Sequence, residues 1–119
     1  MEAPMKDFVK VMKALSDPNR VKILKMLQHK VLCVCEMQAV LKIAQPTVSK
    51  HLKVLEDAGL VGYEKDGLWV NYEIAKDSRN IYAGHMMKYL AGILDDDPQI
   101  VAGGKNAEIA DRMELCNRR

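Results

Sequence analysis

Aromatic residues make up only 5% of the 119-residue sequence, so aliphatic side chains and eight methionines must supply its core. No apolar run approaches the roughly 20 residues that a membrane-spanning helix needs. The N-terminal stretch Met1–Asp7 lacks the apolar segment of a secretory signal. The three cysteines are an odd number, which argues against a disulfide framework and favours reduced thiols. These absences predict a cytoplasmic globular protein with no membrane association.

Charge is distributed unevenly along the chain, although the net charge is only +2. Residues 1–65 carry 11 Lys and Arg against 7 Asp and Glu, whereas residues 66–119 carry 7 against 9. A basic N-terminal half suits a surface that faces a polyanion such as DNA. An unevenly charged, solvated surface explains the same counts equally well, so charge alone does not decide the function.

Helical spacing of apolar residues predicts two helices near the N-terminus: Phe8, Val11, Met12 and Leu15 in the first, and Val21, Leu24 and Leu27 in the second. The first helix is expected to end near Ser16. Asp17 and Pro18 then follow the pattern of an N-cap and a first helical residue. Lys22 and Lys25 are expected on the outer face of the second helix.

Two further helices form a close pair. One is expected to begin near Cys33 and end at Leu41. The next begins around Pro46 and ends near Ala58, where Gly59 is suited to a left-handed helix end. Its inward positions, spaced by four and three residues, are Val48, Leu52 and Leu55. Two short helices with a tight connection are typical of a helix-turn-helix.

The apolar period changes to strand-like alternation between Leu60 and Ile74. Asp66 and Gly67 lie between the two alternating runs, and both tolerate the positive φ angles of a type I′ turn. The sequence therefore predicts a β-hairpin, and a hairpin directly after a helix-turn-helix is a wing.

The C-terminal part is expected to contain a fifth helix over residues 78–94 and a short last helix over residues 106–116. Residues 95–98, three aspartates and a proline, are expected to end the fifth helix, and Gly103–Gly104 to form a flexible joint. A winged core does not need so long a fifth helix, which favours a role in dimerisation.

The predicted fold is mostly α with a β-hairpin wing, a winged helix-turn-helix that forms a homodimer through its terminal helices. Residues 1–94 form the DNA-binding and dimerisation domain, and residues 95–119 a C-terminal extension of linker and short helix. Because helix-turn-helix dimers read two half-sites about 34–36 Å apart, we expect double-stranded operator DNA as the partner.

The polar face of the fourth helix is the candidate DNA-binding surface. Its members, with one residue of the wing, are Gln45, Thr47, Ser49, Lys50, His51, Lys53 and Lys65. Hydroxyl groups near a helix start read base edges or donate to phosphates, and lysines supply the salt-dependent part of the affinity. Taken alone, such a face is more often an ordinary solvated one; the helical pair and the adjoining hairpin favour DNA.

Four segments, in order, resemble the ArsR/SmtB family of winged-helix metalloregulators. They are Ala14–Arg20 (ALSDPNR), Leu32–Glu36 (LCVCE), Gln45–Leu52 (QPTVSKHL) and Leu55–Val61 (LEDAGLV). The second segment resembles the signature of the arsenical-resistance repressors in that family. The resemblance extends from about residue 10 to residue 75. It implies a repressor that leaves its operator when trivalent arsenic or antimony binds, with no catalytic cofactor.

The sequence departs from the family pattern in two places. Leu68 follows the turn glycine of the wing, where the family often has a basic residue. Gln38 occupies the position at which the enterobacterial arsenic repressors have a third cysteine. The resemblance thus supplies two thiolate ligands, Cys33 and Cys35, and leaves Cys116 or a small-molecule thiol as the candidate third.

Soft trivalent arsenic prefers thiolate ligands. On a regular helix the side chains of Cys33 and Cys35 would point roughly 200° apart, so we expect ion binding to unwind the start of the third helix. Small packed cysteines at a helix start are the alternative interpretation, and the stripe shared with Ile109 and Met113 gives Cys116 an equally good structural role.

Other functions remain open at this point. The same cysteines suit a cadmium, lead or redox-sensing repressor, and a thiol metal buffer or metallochaperone would bind ions without specific DNA. The Asp and His pairs with which other family members bind zinc on the fifth helix are missing, because Arg79 and Lys88 lie among Asp77 and His85. No nucleophile, phosphate loop or carboxylate pair indicates an enzyme.

Overall fold

A computed structural model describes residues 4–110 of the chain. Six helices and three short strands follow one another: α1 (Met5–Ala14), α2 (Pro18–Leu27), β1 (Leu32–Cys33), α3 (Val34–Leu41), α4 (Gln45–Asp57), β2 (Val61–Asp66), β3 (Trp69–Ile74), α5 (Ile81–Ala91) and α6 (Pro98–Ile109). Along these residues no helix is long and apolar enough to cross a membrane.

The start of α2 and the end of α4 confirm the predicted local signals. Asp17 is the N-cap of α2, where its carboxylate accepts the backbone N–H groups of Asn19 and Arg20 at 2.8 and 3.2 Å. Gly59 has a φ of 77°, the left-handed conformation expected after α4. The α3–α4 turn contains a second left-handed residue, Lys42, whose N–H bonds to the Gln38 carbonyl at 2.8 Å.

The core lies where α2, α3 and α4 meet the small antiparallel sheet. The predicted inward positions of α4 are confirmed, since Val48, Leu52 and Leu55 are fully or almost fully buried. The prediction for Lys25 is wrong. Lys25 is not on an outer face: its side chain is 3% exposed, because α5 and the segment after it cover that side of α2.

The hairpin is confirmed, but its turn lies one residue later than predicted. Asp66 pairs with Trp69, so Gly67 and Leu68 are the two loop residues. Only Gly67 has a positive φ, 61°, which is the pattern of a type II′ turn rather than type I′. In the sheet order β1-β3-β2, strand β1 pairs with β3 on the side away from β2.

The prediction for the C-terminal part is wrong in the position of the last helix. Gly103 and Gly104 lie inside α6 rather than in a joint, and the helix stops at Ile109, before Ala110 in extended conformation. Asp97 caps its start by accepting the Gln99 N–H at 2.9 Å. Helix α6 packs on α2 and α3, and this packing offsets the roughly 1 kcal/mol that each glycine costs a helix.

Candidate DNA-binding face and thiol site

Helix α4 presents a polar face to solvent. Its exposed members include Gln45, Thr47, Ser49, Lys50 and Lys53, five of the seven predicted DNA contacts. The buried side chains of α4 hold the opposite face against the core, so this polar face points away from the protein. Lys53 is not a free cation there, because its ammonium lies 3.4 Å from the Asp57 carboxylate four residues on.

The wing brings a sixth predicted contact to the surface on a different element. Lys65 is exposed on β2, next to the hairpin turn. Leu68, at the tip, is 92% exposed. The tip therefore offers an apolar side chain where family wings often carry a second charge.

His51, the seventh predicted contact, faces a different way. Its side chain is only 13% exposed. The guanidinium Nη1 of Arg20 lies 3.2 Å from its Nδ1, and its Nε2 lies 4.0 Å from the Asp17 carboxylate. Position 51 is three residues after Val48 and four before Leu55, a spacing that puts it on the inner side of the helix and is visible in the sequence.

Cys33 lies in β1 opposite Asn71 of β3 and is the N-cap of α3, with extended backbone. The premise that both cysteines sit on one regular helix is therefore wrong for Cys33. Its backbone N–H donates to the Glu36 carboxylate at 2.9 Å, while its sulfur faces the Glu36 backbone N–H in a capping box. Burial, with the negative charge of Glu36 acting in the same direction, raises the pKa of the Cys33 thiol.

Cys35 lies in the first turn of α3, two residues after Cys33. It is disulfide-bonded in the structure, whereas Cys33 is a free buried thiol. The expectation that all the cysteines are reduced is thus wrong for Cys35. Cys116 lies outside the described residues. Within residues 4–110, no group of three or more His, Cys, Asp or Glu side chains is placed to hold a metal ion.

Helices α1 and α5 pack together and leave apolar side chains exposed. The Phe8 and Tyr82 rings meet edge-on with centroids 5.4 Å apart. Met5, Ile81 and Tyr89 are 79%, 55% and 62% exposed. Large apolar side chains exposed on adjoining elements are typical of surfaces that another protein covers.

Comparison with known proteins decides the family. Residues 17–63 match the family described as bacterial regulatory protein, arsR family. An uncharacterised helix-turn-helix regulator of Methanocaldococcus jannaschii is 44% identical over 68 residues, covering 56% of this chain and 76% of that protein. The chain belongs to the ArsR family. Its fold and family are those of DNA-binding transcription regulators.

Other ArsR-family proteins match over a longer part of the chain. The arsenical resistance operon repressor of Escherichia coli K12 is 32% identical over 89 residues, 74% of this chain and 69% of that one. Among solved structures, HlyU of Vibrio cholerae superposes with a TM-score of 0.63 at 30% identity, covering 76% of this chain and 94% of that one. Repressors named for cadmium resistance and for SmtB are also among the relatives.

The structure adds two residues that the sequence analysis did not assign to this ArsR-family site. Arg20 lies in the first turn of α2 and reaches from there to α4. Glu36 is 5% exposed and holds the start of α3 at Cys33. A glutamate three residues after an N-cap is the sequence signal of a capping box, but cysteine is an unusual cap and hides it.

Proposed function

We propose that this protein is a homodimeric repressor that releases operator DNA when trivalent arsenic or antimony binds Cys33 and Cys35. The observation that carries the proposal is the position of the two cysteines. They begin α3, and α3 leads through a three-residue turn into α4. An ion bound at the start of α3 therefore acts on the helix that precedes the DNA-binding one.

The DNA-binding part of the proposal assigns α4 to the major groove and the hairpin to the flanking groove. Thr47, Ser49 and Gln45 are in position to read base edges or phosphates near the start of α4. Lys50 and Lys65 supply the electrostatic attraction, to which Lys53 adds when it exchanges Asp57 for a phosphate. The exposed apolar face of α1 and α5 supports pairing of two chains, and a helix-turn-helix dimer reads two half-sites, one with each copy of its recognition helix.

The coupling follows from the cap that Cys33 provides. To share an ion with Cys35, the Cys33 sulfur has to turn away from the Glu36 N–H that it faces, and this disturbs the capping box that starts α3. Loss of an N-cap typically costs a helix about 1 kcal/mol. Arsenic lowers DNA affinity only as far as it binds the altered α3 better than the α3 of the DNA complex.

The chemistry of Cys33 favours arsenic over a divalent metal ion. Its pKa is raised by burial and by Glu36, so it is a protonated thiol at neutral pH. Arsenous acid is neutral, and each thiol proton leaves with an arsenic-bound hydroxide as water when an As–S bond forms. Cadmium or lead must displace that proton without such a leaving group, so their binding strengthens as the pH rises. A third thiolate comes from Cys116 or from a small-molecule thiol.

A redox-sensing repressor is the second candidate, and the disulfide at Cys35 supports it. In that case a peroxide takes two electrons and two protons from two thiols and becomes water, and oxidation rather than arsenic changes α3. Cys33 then has no required role, since its thiol is free in the structure.

Fluorescence anisotropy on DNA from the protein's own upstream region separates these candidates. Arsenite, antimonite, cadmium and hydrogen peroxide are added to the reduced protein and to Cys33→Ser, Cys35→Ser and Cys116→Ser. Serine keeps the N-cap of α3, so the first variant removes the sulfur with little change to the helix. We expect arsenite to release the wild type but neither of the first two variants, at pH 6.5 as at pH 8. Release by peroxide alone, with arsenite inert, would contradict the proposal.

A further inference from the structure

We propose that Arg20 positions α4 for DNA by holding His51 as an internal hydrogen-bond acceptor, so that His51 is a positioning residue and not a DNA contact. The inference deepens the proposed function and rests on the assignment of α4 to the major groove. It begins from three hydrogen bonds of one side chain.

The Arg20 guanidinium joins three helices. From α2, its Nε donates to the Ala14 carbonyl at 2.7 Å and its Nη2 to the Lys13 carbonyl at 3.0 Å. Both carbonyls belong to the last turn of α1, which favours a positive charge; the Lys13 carbonyl also accepts the Ser16 N–H and hydroxyl. The third contact, Nη1 to His51 Nδ1 at 3.2 Å, reaches α4.

The chemistry of the pair determines the state of the imidazole. An arginine side chain is always charged and has donors only, so Nδ1 of His51 must be the acceptor and its proton lies on Nε2. That Nε2–H is 4.0 Å from Asp17 Oδ1. Burial opposes ionisation of Asp17, but hydrogen bonds from the Arg20 and Asn19 backbone N–H groups outweigh it and lower the pKa of this carboxyl. The imidazole thus lies between a fixed cation and a fixed anion.

Within residues 4–110, no other side chain of α4 is hydrogen-bonded to a guanidinium as His51 is to that of Arg20. Val48, Leu52 and Leu55 hold the inner face of α4 against the core. Apolar contacts are not directional, so they keep α4 on the core but allow it small rotations about its axis. The hydrogen bond from Arg20 to His51 is directional, and the Arg20 guanidinium is itself fixed to the end of α1. This bond therefore restricts the rotation of α4. Loss of the Arg20–His51 hydrogen bond is therefore expected to leave the fold intact and to turn the polar face of α4 away from the DNA bases that it reads.

Substitutions separate a positioning role from a direct contact. Asparagine places Oδ1 where histidine has Nδ1, so His51→Asn keeps the acceptor, whereas His51→Leu removes it. Arg20→Lys keeps the charge but replaces three separate donor nitrogens by one, which cannot reach the acceptors on α1 and the one on α4 together. The matched controls are the exposed residues His29 and Arg79, as His29→Leu and Arg79→Lys.

The readout is the ratio of specific to non-specific DNA affinity. We expect His51→Asn and both controls to stay within about twofold of the wild type. His51→Leu and Arg20→Lys should each lower the ratio about tenfold, as expected for one lost hydrogen bond to a charged group. The double variant, Arg20→Lys with His51→Leu, should lower the ratio no further than either single variant, because both remove the same hydrogen bond.

Two results would overturn the inference. One is a double variant, Arg20→Lys with His51→Leu, in which the losses of the two single variants add. The other is a His51→Asn variant whose affinity ratio falls as far as that of His51→Leu. If its slope of log affinity against log salt is also reduced by about 1, His51 contacts a phosphate directly. Ring ¹⁵N shifts of His51 in the DNA-free protein test the bond independently: the Nε2–H form is expected, and a protonated Nδ1 would refute it. If no variant, nor the wild type, binds DNA specifically, the proposed function fails, while the ring shifts still decide whether Arg20 holds His51.

Discussion

Replacing Lys25 by methionine is expected to destabilise the protein by about 3 kcal/mol. The ammonium of Lys25 is buried and uses its three protons on three acceptors. It donates to the Leu90 and Ile93 carbonyls at 2.9 Å each and to the Asp95 carboxylate at 2.8 Å. These acceptors lie at and just beyond the end of α5, so one side chain of α2 caps that helix.

The magnitude follows from what each partner loses. A hydrogen bond to a charged group contributes about 1.5–3 kcal/mol, and under-satisfied buried carbonyls add a desolvation cost. Burial of the apolar methionine side chain returns part of this, which gives the net value of about 3 kcal/mol. Asp95 is 63% exposed, so Asp95→Asn removes only a screened ion pair and should cost at most about 1 kcal/mol.

Urea unfolding at pH 7, followed by circular dichroism at one protomer concentration, measures both variants. Lys25→Met should shift the midpoint at least three times as far as Asp95→Asn. If the two variants lose equal stability, the surface ion pair and not the capping of α5 is the main contribution. A Lys25→Met variant as stable as the wild type would refute the reasoning altogether.

Three further predictions follow from single residues. The pKa of Cys33 is raised in the folded state. Its contribution to the unfolding free energy is therefore complete below the ordinary thiol pKa of about 8.5 and is lost as the pH rises through the folded value. In urea titrations, Cys33→Ser should reduce this loss of stability at alkaline pH, and an unchanged pH profile would contradict the prediction. Lys50→Ala should reduce the slope of log affinity against log salt by about 1 for any DNA sequence, whereas a sequence-dependent loss would mean that Lys50 reads a base. Gly59→Ala should lower the unfolding free energy by about 1–3 kcal/mol, since φ is 77° and a Cβ would collide with the Ser78 hydroxyl; a melting temperature equal to that of the wild type would refute this.

The sequence predicts elements well where one local signal acts alone. Asp17 and Pro18 begin α2, and Gly59 ends α4, because capping and a left-handed φ depend on a few neighbouring residues. The start of α6 differs from the prediction. Asp97 and Pro98 repeat the N-cap signal of α2, but in a run of aspartates the same residues also indicate the end of the preceding helix, and two signals at one place conceal each other.

Other differences depend on contacts distant in sequence. Lys25 is buried by residues 65 to 70 positions further along the chain, which no helical period reveals. Gly103 and Gly104 are helical because α6 packs on its neighbours, which overrides their intrinsic preference. The hairpin turn lies one residue later than predicted because a type II′ turn needs only one positive φ, and Gly67 provides it.

The candidate site divides in the same way. The polar face of α4 was predictable because it is the complement of three inward apolar positions on one helix. The partners of His51 and Cys33 were not, since Arg20 reaches His51 across 31 positions and Cys33 pairs with Asn71 of β3. Residue spacing gives the direction of a side chain, whereas its contacts depend on how the elements pack.

Reciprocal coupling between arsenite and operator DNA tests the central claim most directly. By linkage, the factor by which arsenite weakens DNA binding must equal the factor by which DNA weakens arsenite binding. We therefore propose to titrate arsenite into the reduced dimer, free and saturated with operator, by isothermal calorimetry. The account predicts weaker arsenite binding in the complex by that factor, and no such difference in Cys33→Ser or Cys35→Ser. Equal arsenite affinity with and without DNA would contradict it.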